Sequence, residues 1–283
     1  MRAGLAAALG AEVVALEQVP GGDLNTAYRA TLAGDGAARV FVKTSPDAAP
    51  GAYAAEAAGL RWLGEVGALP VPEVLAVDER WLALAWVDGG GRPDAAALGR
   101  GLARIHRAGA ASFGELPGGG ERYVLGPLAL PNAPAGDWPT FYAASRLLPL
   151  TRMAADRGAL DAAGVRAVEA VAGRIDQLAG PPEPPARLHG DLWSGNVHAG
   201  ADGRPWLIDP AAYGGHREID LAMLSLFGNP GPAFADAYDE VWPRADGHAE
   251  RVALHQLLPL LVHAVLFGGG YGASARRAAE RYA

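Results

Sequence analysis

Leu188-His189-Gly190-Asp191-Leu192-Trp193-Ser194-Gly195-Asn196 is the stretch from which the rest of this chain can be read. It sets an amide, Asn196, five positions after a carboxylate, Asp191, across a turn that carries two glycines. Downstream, Trp206-Leu207-Ile208-Asp209-Pro210 reads as an apolar strand ending in a second carboxylate, thirteen positions beyond Asn196. Upstream, Val40-Phe41-Val42-Lys43 puts an ammonium at the end of another apolar strand, and Glu56 lies on the segment that follows. Lys43 is the only lysine in the chain, every other basic residue being arginine. A lysine retained in such a chain points to a need for a compact ammonium, which a guanidinium does not replace.

The order lysine, glutamate, H-x-D-x4-N, aspartate is the order that phosphoryl transfer from ATP requires. Asp191 would orient the attacking hydroxyl and accept its proton. Asn196 and Asp209 would hold magnesium, and Lys43, oriented by Glu56, would grip phosphate oxygens. Gly21-Gly22-Asp23-Leu24-Asn25, between two predicted strands, would let backbone N–H groups approach phosphates closely. Taken alone, that turn also reads as a plain hairpin, and Lys43–Glu56 as a surface ion pair of little worth. Only the combination separates the readings.

Around these motifs the chain divides in two. Val13–Val19, Tyr28–Leu32 and Arg39–Lys43 read as strands of a meander, with Gly34, Asp35 and Gly36 in a turn. Tyr53, Ala57, Leu60 and Leu63 recur at helical spacing, and Val74–Val77 and Trp81–Val87 read as two more strands. Met1–Leu16 reads as a first helix leading into a strand, because Glu12 and Glu17 interrupt any leader-like run. The expected fold class is α+β, a two-lobed protein-kinase-like fold. Residues 1–88 would form a nucleotide-binding lobe with a five-stranded antiparallel sheet and a helix. Residues 89–283 would form a mainly helical catalytic and substrate-binding lobe. In it Asp94, Asp137 and Asp161 stand where helix N-caps belong. Ser112–Pro134 reads as one long loop, and Leu254–Phe267 as a buried helix too short to cross a bilayer. Adenine would lie against the linker Ala85, Trp86 and Val87. Asp220 would start a helix beneath the catalytic loop and, with His189, support that loop. His216, Arg217 and Glu218 would either face the substrate or brace the same loop.

Over nearly its whole length the chain resembles the fructosamine kinase family of aminoglycoside-phosphotransferase-like kinases. The resemblance is carried by GGDLNTAYRA (21–30), VFVK (40–43), AEAAGLRWL (55–63), DWPTFYAASRLLP (137–149), LHGDLWSGN (188–196), LIDPAAYGGHREIDLAML (207–224) and HQLLPLLVHAVLFGGGY (255–271). It implies ATP- and magnesium-dependent phosphorylation of a ketosamine, free or protein-attached, at the third sugar carbon. By the same resemblance Trp193 packs against substrate. Two positions depart from the family pattern: Leu130 stands where a glutamine is expected, and Asp23 where some members carry cysteine. Two other readings stay open, a kinase for another hydroxylated small molecule (an aminoglycoside, choline or a sugar) and a nucleotide-binding pseudokinase.

Composition narrows the field further. With 24 basic against 31 acidic residues the net charge is -7, and no Lys/Arg run suggests a nucleic-acid partner. The absence of cysteine removes disulfides, thiolate metal sites and thiol nucleophiles. Half the 283 residues are hydrophobic, enough for a sizeable core. The expected setting is the cytoplasm, with no membrane partner.

Overall fold

The computed structural model describes residues 1–20, 24–34 and 37–283. Gly21, Gly22 and Asp23 of the glycine-rich turn, and Asp35 and Gly36 of the next, lie outside the described residues. The N-terminal part runs α1 (Arg2–Leu9), β1 (Val13–Val19), β2 (Thr26–Leu32), β3 (Arg39–Thr44), α2 (Ala52–Gly64), β4 (Val74–Asp78) and β5 (Trp81–Ala85). Its strands form one antiparallel sheet in the order β1-β2-β3-β5-β4. Strand periodicity gives that sheet two buried faces. Val40, Val42 and Ala83 pack with Leu5 of α1, while Phe41, Leu82 and Leu84 pack with Tyr53, Ala57 and Leu60 of α2. Lys43 pairs directly with Leu82 across the ladder, so it lies on the α2 face. The last strand stops at Ala85, two residues short of the expected end at Val87.

The remainder comprises α3 (Ala95–Ala108), β6 (Arg122–Leu125), β7 (Leu128–Pro131), α4 (Trp138–Tyr142), a π-helical turn (Ala143–Leu147), α5 (Leu148–Asp156), α6 (Ala162–Ala172) and α7 (Ile175–Leu178). It continues with β8 (Ala186–Leu188), a 3-10 turn (Ser194–Asn196), β9 (Val197–Ala199), β10 (Pro205–Leu207), β11 (Tyr213–Gly215), α8 (Glu218–Leu226), α9 (Pro232–Asp239), α10 (His248–Phe267) and α11 (Tyr271–Ala279). Asp94, Asp137 and Asp161 all cap helices, accepting from Ala96 and Ala97, from Thr140 and from Gly164 respectively. The expected long loop Ser112–Pro134 is not loop throughout. Its centre is the β6–β7 hairpin, turned by Gly126-Pro127.

Helix α10 forms the core of this part. It begins at His248, six residues before the expected start, and its 20 residues are long and apolar enough to span a membrane by length and composition alone. Two-thirds of its apolar window is nevertheless buried within the fold, where it packs on α5, α8 and α11. Pro259 lies inside it and supplies no N–H to the carbonyl of His255. The Tyr142 hydroxyl sits at that gap, donating to Leu254 O at 2.9 Å and lying 3.5 Å from His255 O.

The tightest helix crossing is that of α3 on α9. A Cβ at Gly99 would stand 2.3 Å from Phe234 O and 3.1 Å from Tyr238 N, so the backbones meet without room for a methyl group. Gly99→Ala is expected to destabilise the protein by about 1–3 kcal/mol through overpacking, read as a lower urea midpoint. An unchanged midpoint would mean that the two helices can separate freely.

Candidate active site

The catalytic loop leaves β8, which pairs with β11, and turns at Gly190. That glycine has φ 84°, and a Cβ there would lie 1.9 Å from Ala211 O, so no other residue fits. Asp220, on α8 and fully buried, fixes the turn from below by accepting from His189 N (2.8 Å) and Gly190 N (3.0 Å). Its second contact is His106 Nε2 at 3.1 Å, and His106 Nδ1 lies 2.8 Å from the Tyr238 hydroxyl. Burial opposes the Asp220 charge, but the hydrogen bonds it accepts outweigh burial and hold its carboxyl below the usual range. His189 Nε2 donates to Ile208 O at 2.9 Å, which leaves Nδ1 as acceptor for Asp191 N at 3.3 Å. The histidine thereby ties the loop to the segment that carries Asp209.

Asp191 and Asn196 face one another. Asn196 Nδ2 donates to Asp191 O (2.8 Å) and Oδ2 (3.1 Å), so both amide hydrogens are engaged and Oδ1 is left as a neutral oxygen ligand. Burial, with the charge of Asp209 nearby, pushes the Asp191 carboxyl up to about 7. Lys43 reaches across from β3. Its ammonium, 4% exposed, pairs with Glu56 Oε2 on α2 and with Asp209 Oδ1 at 3.0 Å. Burial works against this charge, but Asp209 and Glu56 outweigh it and hold the lysine above its ordinary value. Asp209 is in the left-handed region (φ 54°), a strained setting for a residue other than glycine and one that recurs at working sites. One ammonium thus pairs with two carboxylates while a third, Asp191, stands in the same site, and Glu56 Oε1 is buried without a partner among the described residues. The excess negative charge and the free Asn196 oxygen suit a hard divalent cation with oxygen ligands.

These groups line a cavity of about 520 Å³, together with Asn25, whose Oδ1 accepts from the Tyr53 hydroxyl, and Trp193. Trp193 is 39% exposed, so it is not a core residue. Gly195 leaves room for its ring, since a Cβ there would come within 2.2 Å of the indole. Ala85, Trp86 and Val87 are not part of this lining. Trp86 instead donates its indole N–H to Asp88, under the guanidiniums of Arg29 and Arg39. The cavity also takes in residues that carry no motif of their own: Arg122 to Pro127 of the hairpin, Arg157 after α5, and His263 and Phe267 at the end of α10. A signal for the hairpin is present in the sequence, a Gly-Pro pair between the apolar runs Val124-Leu125 and Leu128-Ala129-Leu130. For Arg157 and the α10 end there is none, because their approach to Asp191 is set by helix packing across many intervening residues.

His216, Arg217 and Glu218 lie outside the cavity and are buried. The side-chain partners of Arg217 and Glu218 are neither cavity residues nor residues of the catalytic loop. Arg217 makes two bonds to Glu183 (2.7 and 2.6 Å) and donates to Trp242 O and Pro243 O. Glu218 takes both of its bonds from Arg251 (2.9 and 2.6 Å). Ligand atoms of His216, Glu218 and His255 lie within 4.8 Å of one another, but Arg251 already holds both carboxylate oxygens.

Burial lowers His216 to about 4 and His255 to about 3, against an unfolded value near 6.5. Between those values the unfolded chain binds protons that the folded one excludes, so the contribution of these two rings to stability is full above pH 6.5 and is lost as pH drops toward 4. Glu218 and Asp220, both lowered, reinforce the loss further into acid. From pH 7.5 to pH 5 each histidine is expected to remove up to about 2 kcal/mol of the urea-unfolding free energy, against an opposite contribution from Asp191 and Glu56, whose burial-raised carboxyls bind protons in the fold but not in the unfolded chain over this range. His255→Leu should therefore lose less stability, or gain more, than wild type between pH 7.5 and pH 5. A variant profile parallel to that of wild type would show that the His255 ring is protonated inside the fold.

Comparison with known proteins agrees with this geometry. The fructosamine kinase family matches residues 3–283. A Thermus thermophilus protein named "Probable ketoamine kinase" is 38% identical over 251 residues, covering 89% of this chain and 87% of its own. The crystal structure of a Thermobifida fusca protein designated a fructosamine-3-kinase superposes with a TM-score of 0.87 at 46% identity, covering 99% of this chain and 97% of the other. A macrolide 2'-phosphotransferase type I, at a TM-score of 0.60 and 17% identity over 97% of this chain and 94% of its own, shares the fold. The two-lobed protein-kinase-like architecture, the phosphotransferase constellation and the family match converge: this chain belongs to the fructosamine kinase family.

Proposed function

We propose that the enzyme transfers the γ-phosphoryl group of ATP to the hydroxyl on the third sugar carbon of a ketosamine of the fructosamine or ribulosamine type. The observation that carries this reading is the meeting of Asp191, Asn196 and Asp209 with the Lys43–Glu56 pair on the wall of one cavity. Asp191 accepts the proton of the acceptor hydroxyl. The new O–P bond forms as the bond from the γ-phosphorus to its bridging oxygen breaks, and ADP leaves with that electron pair. Lys43, held by Glu56, binds phosphate oxygens, and Asn25 stands on the wall of the same cavity. Asn196 and Asp209 would hold magnesium, which supplies charge neutralisation on the phosphates. The remaining catalysis is positioning.

Among rival acceptors, a polycationic aminoglycoside fits poorly. Three of the cavity's carboxylates, Glu56, Asp191 and Asp209, are taken up by the transfer machinery, and the hairpin and α5 contribute Arg122 and Arg157 instead. A pseudokinase would have no use for an intact Asp191. We read the lobe boundary as Asp88/Gly89, just beyond the end of the sheet at Ala85 and where Gly89 bridges to Gly200. We read the setting as cytoplasmic, where ATP and both free and protein-attached adducts are available.

Asp191→Asn is expected to lower turnover by about 10²–10⁴-fold while the Kd for ATP stays within a few-fold. The assay is ATP consumption with magnesium over ketosamines of several sugar lengths, an aminoglycoside, choline and free sugars, with the product placed by phosphorus NMR. Near-wild-type turnover in the variant would remove Asp191 from the role of base. Turnover of a non-ketosamine alone would overturn the acceptor.

A further inference from the structure

Arg146 is a charge that the transfer chemistry does not use. It is fully buried, and among the described residues no carboxylate lies within ion-pair distance of it. Its guanidinium lies 4.2 Å from the ring centroid of Tyr123 and 4.6 Å from those of Phe141 and Tyr213. Nη2 donates to Asn132 Oδ1 (2.8 Å), and Nη1 to Ser145 O (3.0 Å) and Pro131 O (3.2 Å). The π-helical turn explains how it gets there. The wider turn lets Ser145, Arg146 and Leu147 all be buried in succession, which ordinary α spacing does not favour. If only volume were needed, a methionine or leucine would fill the site without desolvating a cation. An arginine adds a planar fork for several acceptors and a cation for several ring faces.

Three of the groups that Arg146 holds, Tyr123, Pro131 and Asn132, belong to the cavity-lining hairpin or follow directly on it. Pro131 ends the β6–β7 hairpin and Asn132 follows it. Asn132 Nδ2 donates to Gly114 O (2.5 Å), and Gly114 N donates to Gly214 O (2.8 Å) on β11, the partner strand of β8. Tyr123, whose ring covers the guanidinium, donates its hydroxyl to Ala211 O (2.9 Å), and Ala211 N donates to His189 O (3.0 Å). Two chains of contact therefore run from Arg146 to the catalytic loop. The hairpin tip reaches the other lobe, where a Cβ on Gly126 would come within 2.7 Å of Leu24.

We propose that Arg146 is a positioning residue for the acceptor: it clamps the 122–131 hairpin against the catalytic loop, so that this hairpin presents a fixed wall to the acceptor beside Asp191. The inference rests on the kinase reading for its kinetic arm only.

The test compares Arg146→Met and Arg146→Lys with wild type. With whichever acceptor the wild type turns over, Arg146→Met should lower kcat/KM for that acceptor by about 10–100-fold, mostly through KM. The KM for ATP should stay within about twofold, since Lys43 and its partners are untouched. Amide hydrogen exchange over residues 122–131 should quicken, while exchange in α10 stays as in wild type. Arg146→Lys keeps a cation over the rings and should recover part of both effects. If Arg146→Met does not fold, Asn132→Ala cuts one tether and should show the same pattern at smaller amplitude. An unchanged acceptor KM with unchanged exchange in the hairpin would overturn the proposal. So would equal losses for acceptor and ATP, which would mark a general structural role. If the wild type turns over no acceptor, the kinase reading falls, and hydrogen exchange in the hairpin still decides the clamp.

Discussion

One ammonium joins the two halves of this enzyme. Lys43 stands on a strand of the sheet, Glu56 on the helix beside it, and Asp209 on a segment 166 residues away from the lysine. A charge this deeply buried is tolerated only when paired, and both partners are needed to offset its desolvation. The strand must therefore end where it does, the helix must pack with Glu56 toward the sheet, and Asp209 must adopt a backbone conformation that its type disfavours. The cavity between the halves is what these requirements leave open.

The second constraint lies lower. Asp220 collects two consecutive backbone N–H groups and a histidine, and Gly190 allows the chain to pass within contact distance of Ala211. Two further buried pairs, Arg217–Glu183 and Arg251–Glu218, tie the start of α8 to the segment before β8 and to α10. The carboxylate of Asp191 is thus presented by a scaffold of buried charges, each neutralised by a named partner, while Arg146 is neutralised by rings and carbonyls instead.

Much of this is legible in the amino-acid sequence. The strands can be read because their apolar residues alternate or run unbroken between turn residues, and the helix starts because aspartates stand at the caps. Lys43, Glu56, Asp191, Asn196 and Asp209 can be picked out because the chemistry demands those types in that order. What escapes has physical reasons. The hairpin is short, and its apolar runs sit within a glycine- and proline-rich stretch that reads as loop. The π-helical turn leaves no periodic mark, since two of its three adjacent buried residues, Ser145 and Arg146, are polar and read as a solvent-facing stretch. The roles of His216, Arg217 and Glu218 depend on Glu183 and Arg251, which only the fold brings near them.

The scarcity of lysine has one more consequence. Neutral amines attack the carbonyl carbon of sugars and related compounds, and the only side-chain amine of this protein is Lys43. That amine is buried and kept protonated by two carboxylates. An enzyme that acts on sugar–amine adducts thereby exposes no lysine to the same carbonyl chemistry, and its one lysine is shielded by the contacts that make it useful.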